Sequence, residues 1–196
     1  MQRFASEFAI TPETRILDVG GVPEYWRTLP KQPRVTLLNM PRAGAELPAG
    51  ERWVAGDGRC LPFADRSFDI VFSNSVIEHV GDAASQEKFA REVARVGRGY
   101  WVQTPNRWFP VEQHLLTPFI HWLPKFCQRA IVPHGTVWGA LAHVSPDRRR
   151  FYLEHYLAGT RLLDSRELQR LFPDARLIRE RFFGLTKSLV AMRPVG

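Results

Sequence analysis

Short apolar runs alternate with stretches of helical periodicity, and this alternation restricts the fold more than any other feature of the chain. The apolar runs predict buried strands at residues 15–19, 35–38, 52–55, 68–73 and 100–104. After the fourth run, Phe89, Val93 and Val96 fall at helical spacing, and Gly97 ends that helix. Continuous apolar strands separated by helices are typical of a mainly parallel sheet covered on both faces.

The C-terminal part continues the alternation. Asp164 and Glu167 resemble a capping box that starts a helix, and residues 175–181 and 187–192 predict two final strands in a hairpin. The predicted fold class is therefore α/β, with a Rossmann-like sheet. That sheet has seven strands, mainly parallel with the last one antiparallel, and helices on both faces.

Residues 105–160 interrupt this pattern, and we call them the lid segment. Six of the fifteen prolines and three of the six tryptophans lie within residues 105–146. Prolines disfavour long regular elements and aromatics disfavour disorder, so an ordered insertion over a pocket is expected within one domain of residues 1–196. Its apolar side chains predict a second core, an acceptor pocket, or an interface with a membrane or another subunit: Trp108, Phe109, Phe119, Trp122, Leu123 and Phe126.

Composition limits the location and the partners. With 44% apolar residues, no run long enough to span a membrane and no signal-peptide pattern in residues 1–10, the sequence predicts a cytoplasmic protein without a transmembrane segment. Cys60 and Cys127 lie far apart and are expected to be reduced thiols. Peripheral membrane contact stays open, and the oligomeric state is not indicated.

The net charge of +7 is uneven, because residues 147–196 hold eleven Arg or Lys against six Asp or Glu. A basic region of this kind can attract nucleic acid, anionic lipid or an acidic substrate, or it can form a solvated Arg-rich face. We expect the solvated face, which makes a nucleic-acid-binding protein an unlikely alternative function.

Small or polar residues follow each of the first five predicted strands: Gly20-Gly21, Asn39, Asp57-Gly58, Ser73-Asn74 and Thr104-Pro105-Asn106. The carboxyl ends of parallel strands meet at one edge of a sheet, where ligands bind. Glycines there let the backbone approach a ligand, and a polar side chain can bind ribose hydroxyls. A carboxylate can accept a hydrogen bond from an adenine amine. The ordered set predicts a nucleoside-binding crevice.

Two segments carry a family resemblance: ILDVGG at residues 16–21 and VAGDGRCLPFADRSFDIVFSNSVIEHV at residues 54–80. With them the sequence resembles the class I S-adenosylmethionine-dependent methyltransferases of the small-molecule type 11. The resemblance implies methyl transfer (the EC 2.1.1 class), S-adenosylmethionine as cofactor and S-adenosylhomocysteine as product. Dinucleotide binding is disfavoured, because GxGxxG is absent.

The resemblance also implies roles for individual residues. It implies contacts to the methionine end of the cofactor from Asp18, Gly20 and Gly21. It implies contacts to ribose and adenine from Asn39, Met40, Asp57 and Gly58. It also implies that two residues lie near the sulfonium, Ser73 and Asn74. The later glycine of the family's loop is missing and Asn39 replaces the usual acid. These two departures motivate the alternative of a non-catalytic module that binds cofactor or a partner.

Methyl transfer to a hydroxyl or an acidic carbon needs a general base, and histidine suits this role near neutral pH. His79 and His114 are the candidate catalytic residues, with Glu112 as an assisting carboxylate. The histidines lack HxxxH spacing, so the sequence predicts no metal. SNSV at residues 73–76 does not match the motif of nucleobase amino methylation, which disfavours adenine as the acceptor. The aromatic side chains of the lid segment favour a small, partly apolar acceptor.

Overall fold

The computed structural model describes residues 1–40, 52–132, 136, 153, 156–157 and 159–196. Its main sheet consists of β1 (Arg15–Val19), β2 (Arg34–Asn39), β3 (Arg52–Ala55), β4 (Phe68–Asn74), β5 (Gly97–Pro105), β8 (Arg176–Phe182) and β9 (Leu185–Arg193). The lid segment contains β6 (Val111–Glu112) and β7 (Thr117–Pro118). The helices are α1 (Gln2–Glu7), α2 (Pro23–Arg27), α3 (Ala83–Val96), α4 (Lys125–Ile131) and α5 (Ser165–Leu171), with 3₁₀ turns at Ile77–His79 and Ile120–Trp122.

The seven strands lie in the order β3-β2-β1-β4-β5-β9-β8. Strands β1 to β5 pair in parallel, and β9 pairs antiparallel with both β5 and β8. The predicted fold class, including the antiparallel last strand, is confirmed. The strand order reverses between β1 and β4, which is where open α/β sheets bind ligands.

Helices cover both faces of the sheet, as predicted. On one face α3 and α5 pack on a core that includes Phe89, Tyr100 and Leu168. On the other face Phe4 of α1 and Trp26 of α2 contact the rings that project from β4 and β5. The sequence reading missed α1, although the spacing of Phe4 and Phe8 by four residues is a helical signal.

The capping box predicted at Asp164 is present. Its carboxylate accepts from the Glu167 backbone N–H at 2.9 Å, and the Glu167 side chain accepts from the Asp164 backbone N–H at 3.1 Å. Arg107, at the start of the lid segment, forms ion pairs with both acids. These contacts connect the lid segment to α5.

Replacing Asp164 by alanine should therefore lower the free energy of unfolding by about 2 kcal/mol, the upper end for loss of an N-cap, because an ion pair is also lost. Urea denaturation measures this change. The control is Asp82→Ala at the N-cap of α3, where Asp82 accepts only from Ser85 among the described contacts and about 1 kcal/mol is expected. Equal losses in the two variants would contradict a structural role for the ion pairs.

The described part of the lid segment has a small core of its own, which includes Leu115, Ile120 and Val132. Much of the remaining lid segment lies outside the described residues. Among the residues that the structure describes, no helix is long and apolar enough to cross a membrane.

Candidate functional site

A cavity of about 290 Å³ opens at the carboxyl ends of β1, β2 and β3. Gly20 follows β1, Met40 follows β2, and Gly56 to Arg59 follow β3. The 3₁₀ turn after β4 adds His79, and Val80 comes directly after that turn. The parallel register of the strands brings together residues that are up to sixty positions apart in sequence. Six of the predicted site residues line this one cavity: Gly20, Asn39, Met40, Asp57, Gly58 and His79.

The glycine loop lies against a buried carboxylate. Asp18 is fully buried, and its Oδ2 accepts a hydrogen bond from the Trp26 indole N–H at 2.7 Å. Its Oδ1 has no hydrogen-bond partner. A Cβ on Gly21 would lie 1.7 Å from Oδ2, so only glycine fits beside this carboxylate. Gly20 has φ of +79°, a left-handed conformation that favours glycine.

Burial raises the pKa of Asp18 to about 7, and the hydrogen bond from Trp26 opposes this shift only partly. The carboxylate therefore stands near its titration point at neutral pH. A cation placed beside Oδ1 would favour the ionised form, because opposite charges attract strongly in a buried site.

Asp57 is held by Arg59. The Arg59 Nε–H donates to both carboxylate oxygens at 3.0 Å, and Nη2 donates to Oδ2 at 2.7 Å. The Arg59 hydrogen bonds keep the pKa of Asp57 below its ordinary value, against the opposing effect of burial. Asp57 is thus an ionised acceptor at the cavity, and its carboxylate has lone pairs left for a further donor.

The remaining predicted residues differ in position. Asn39 Nδ2 donates to the Gly21 carbonyl at 3.0 Å and so holds β2 to the glycine loop. Ser73 is fully buried, and its hydroxyl donates to the Val19 carbonyl at 3.2 Å. Ser73 and Asn74 end β4 near the cavity but are not part of its lining. Their predicted place near a sulfonium stays a prediction.

His79 and His114 are brought into contact although thirty-five residues separate them. Their Nε2 atoms lie 3.0 Å apart, and the two rings meet edge to face. Nδ1 of His114 lies 2.7 Å from Oε1 of Glu112, whose Oε2 accepts from the Leu115 backbone N–H. Since a carboxylate only accepts, Nδ1 of His114 carries a proton and Nε2 faces His79.

Glu78, next to His79 in the same 3₁₀ turn, is a buried acid that the sequence analysis did not single out. Its Oε2 accepts from the Thr104 hydroxyl at 3.0 Å, whereas Oε1 has no hydrogen-bond partner. Oε1 lies 3.9 Å from His114 Nε2. Burial raises the pKa of Glu78 to about 7. The sequence signal was weak, since an acid beside an apolar strand end can equally be exposed.

Burial and the neighbouring charges act in opposite directions on the pKa of His114. Burial lowers the pKa of His114, but the hydrogen bond to Glu112 and the charges of Glu112 and Glu78 raise it above its ordinary value overall. His114, Glu112 and Glu78 therefore influence one another electrostatically beside the cavity, and His79 contacts this group through His114.

Five of the six apolar side chains that the sequence analysis singled out in the lid segment face solvent. Phe109 is buried, while Trp108, Phe119, Trp122, Leu123 and Phe126 are exposed. Rings of Trp108 and Phe119 contact Trp122, and the Arg107 guanidinium lies over Trp108. The prediction that these side chains form a second core is therefore wrong for all of them except Phe109. An acceptor pocket and an interface remain as interpretations of the exposed ones.

Comparison with known proteins agrees with this geometry. Residues 34–99 match the family model described as a methyltransferase domain. A relative from Mycobacterium sp. (strain JLS), described as an uncharacterized methyltransferase, is 37% identical over 95 residues. The match covers 45% of this chain and 36% of the relative, so the chain spans about a third of the length of the curated relatives it matches.

Solved structures show the same fold. A protein of Rhodobacter sphaeroides described as a Zn-dependent alcohol dehydrogenase superposes with a TM-score of 0.63 at 10% identity, covering 97% of this chain and 86% of that one. A SAM-dependent methyltransferase of Methanosarcina mazei gives 0.56 at 14% identity, covering 98% and 96%. At these identities the likeness concerns the fold alone. The resemblance read from the sequence is confirmed for residues 34–99, which match the family model of the type 11 methyltransferase domain.

Proposed function

We propose that this protein transfers a methyl group from S-adenosylmethionine to a small, partly apolar acceptor. The observation that carries the proposal is the cavity at the strand ends, where a glycine turn, an ionised carboxylate and a histidine cluster adjoin one another. A dinucleotide is a poorer fit, because its diphosphate requires a glycine-rich N–H cradle that this sequence does not encode.

The residues at the cavity and beneath its glycine turn fit the cofactor. Oδ1 of Asp18, which is buried beneath that turn and has no hydrogen-bond partner, suits the ammonium of the methionine end. Asp57 suits the adenine amine, and the amide oxygen of Asn39 can accept from a ribose hydroxyl. A Cβ on Gly58 would lie 2.8 Å from the Phe89 ring, so glycine is required where the adenine would lie.

The reaction makes modest chemical demands on the protein. The acceptor atom forms a bond to the methyl carbon, the S–CH₃ bond breaks, and its electron pair stays on sulfur to give S-adenosylhomocysteine. The acceptor loses its proton to a neighbouring group. Since the sulfonium is already activated, the protein mainly aligns the three atoms and removes water. His79, which lines the cavity, and His114, which contacts it, are the groups placed to activate the acceptor.

The exposed rings of the lid segment support an apolar part in the acceptor. One of them, Phe119, directly follows β7, and β7 pairs with the strand that ends at Glu112, the partner of His114. An acceptor whose polar end reaches the histidines would therefore have its apolar portion on the side of these rings. The proposed acceptor is therefore a molecule with one ionisable oxygen, nitrogen or carbon and an apolar portion.

Isothermal titration with S-adenosylhomocysteine tests the proposal. Binding in the micromolar range is expected, and Asp57→Ala should weaken it by roughly a hundred-fold, because a charge-assisted hydrogen bond to a buried donor contributes about 3 kcal/mol. The matched control is Asp69→Ala. Asp69 is also paired with an arginine, Arg15, but it lies near the amino-terminal end of β4, away from the strand ends that form the cavity. Absence of binding, or equal weakening in both variants, would overturn the cofactor assignment.

A further inference from the structure

Three side chains beside the cavity direct ligand atoms at a common point. They are the buried Glu78, the exposed His79 and the half-buried His114, with one carboxylate oxygen and one ring nitrogen of each histidine all within 4.8 Å of one another. Among the described residues they form the one group of three with this arrangement. A tetrahedral metal ion with bonds near 2.1 Å holds its ligand atoms roughly 3.3 Å apart. The observed distances of 3.0 Å and 3.9 Å therefore require small shifts.

Each of these side chains also has an outer partner that would orient it toward a metal. Glu112 accepts from Nδ1 of His114, which leaves the lone pair of Nε2 directed inward. The Thr160 hydroxyl lies 3.4 Å from Nδ1 of His79, and the Thr104 hydroxyl donates to the outer oxygen of Glu78. Carboxylate and hydroxyl partners of this kind accompany metal ligands, because they fix the imidazole tautomer and raise ligand basicity.

A purely structural role for Glu78 does not explain the environment of its inner oxygen, Oε1. It belongs to a side chain with no solvent exposure and has no hydrogen-bond partner. A buried carboxylate oxygen without a partner is costly, and a cation is the strongest partner it can acquire.

We propose that Glu78, His79 and His114 bind a divalent transition-metal ion, for which Zn²⁺ is the representative. Two imidazoles and one carboxylate form the ligand set of zinc sites that keep a fourth position open. Mg²⁺ and Ca²⁺ prefer oxygen ligands alone and fit poorly. The sequence predicted no metal, because the ligands come from two segments without metal-binding spacing.

His79 belongs both to this group and to the cavity lining, so the open position faces the cavity. An acceptor oxygen bound there would lose its proton to solvent water more readily. With the ion bound, the histidines would activate the acceptor as metal ligands; without it, they would accept the proton themselves. This role for the ion rests on the proposed function, whereas metal binding itself does not.

Calorimetric titration of the chelator-treated protein with ZnCl₂ tests the site. One Zn²⁺ per chain is expected, with MgCl₂ giving at least a hundred-fold weaker binding. Loss of an outer partner of a metal ligand costs about 10–100-fold in affinity, so Glu112→Gln should fall in that range. Glu78→Gln and His79→Gln should weaken binding by about a hundred-fold or more. His79 is exposed, so its variant should fold even if the Glu78 variant does not.

Two controls separate this site from others. His121→Gln removes an imidazole that contacts the Arg107 carbonyl outside the group, and it should leave Zn²⁺ affinity unchanged. Cys60→Ser removes an exposed thiol near the cavity, and it should also bind normally. Titration with Co²⁺ should give visible absorption bands without the near-ultraviolet band of a thiolate ligand.

The inference is overturned if no one-to-one binding occurs, or if His79→Gln binds Zn²⁺ like the unaltered chain. Parallel titration with S-adenosylhomocysteine distinguishes the two proposals. If the nucleoside binds and Zn²⁺ does not, the metal site alone fails. If Zn²⁺ binds and the nucleoside does not, the methyl-transfer function fails while the metal site stands.

Discussion

Replacing Gly21 by alanine should remove most of the affinity for S-adenosylhomocysteine. The new Cβ would lie 1.7 Å from Oδ2 of Asp18, and that oxygen is fixed by the Trp26 indole. Either the carboxylate leaves its pocket or the loop moves away from β1. Both displace groups proposed to bind the methionine end, so we expect a loss of roughly a hundred-fold in Kd, about 3 kcal/mol.

The same substitution should lower the free energy of unfolding by about 1–3 kcal/mol, the range for overpacking a buried site. The two effects are measured separately, by calorimetry and by urea denaturation. Gly159→Ala is the control, because a Cβ there meets nothing within 4 Å. A folded Gly21→Ala protein with unchanged affinity would show that this loop does not contact the cofactor.

Replacing Asp18 by asparagine should stabilise the protein at pH 8 and weaken cofactor binding. The native pKa of Asp18 is about 7, against 3.8 for an ordinary aspartate. Between these values the unfolded chain has lost a proton that the native protein keeps. The contribution of Asp18 to stability is therefore most favourable below pH 4 and falls as the pH rises to about 7. The total loss is at most about 4 kcal/mol, since each pKa unit corresponds to about 1.4 kcal/mol.

Asparagine cannot ionise but still accepts from the Trp26 indole through its amide oxygen, so this part of the pH dependence should disappear. Urea denaturation of both proteins from pH 4 to pH 8 measures the difference, which isolates Asp18 from other buried acids. Cofactor affinity should fall, because the variant offers no charge to the ammonium. Parallel stability curves for the two proteins would contradict the role of burial at Asp18.

Asp69→Asn provides the opposite case in the same experiment. Burial raises the pKa of Asp69, but the hydrogen bonds and charge of Arg15 outweigh it and lower the pKa overall. A lowered native pKa stabilises the folded protein above pH 4, and this contribution is lost in acid. The variant should therefore lose stability at neutral pH, while Asp18→Asn gains it.

Much of the fold could be predicted from the order of apolar runs. Strands that are buried on both faces are mostly apolar, so β1 and β4 were visible as apolar runs although each contains one aspartate, Asp18 and Asp69. The helix α5 was visible from its capping box, which is a local signal. The helix α1 was missed because it is only six residues long, and its packing on β4 and β5 compensates for its weak local preference.

The sequence by itself determined the order of the strands along the chain and which residues follow each one, because periodicity and strand ends are local properties. Through these it indicated the cavity residues Gly20, Asn39, Asp57 and His79. The tertiary structure decided which side chains meet across the strand ends. The pairing of His79 with His114, the unpartnered oxygen of Glu78 and the contact of Asp18 with Trp26 depend on how separate segments pack, and burial of their charges follows from that packing alone.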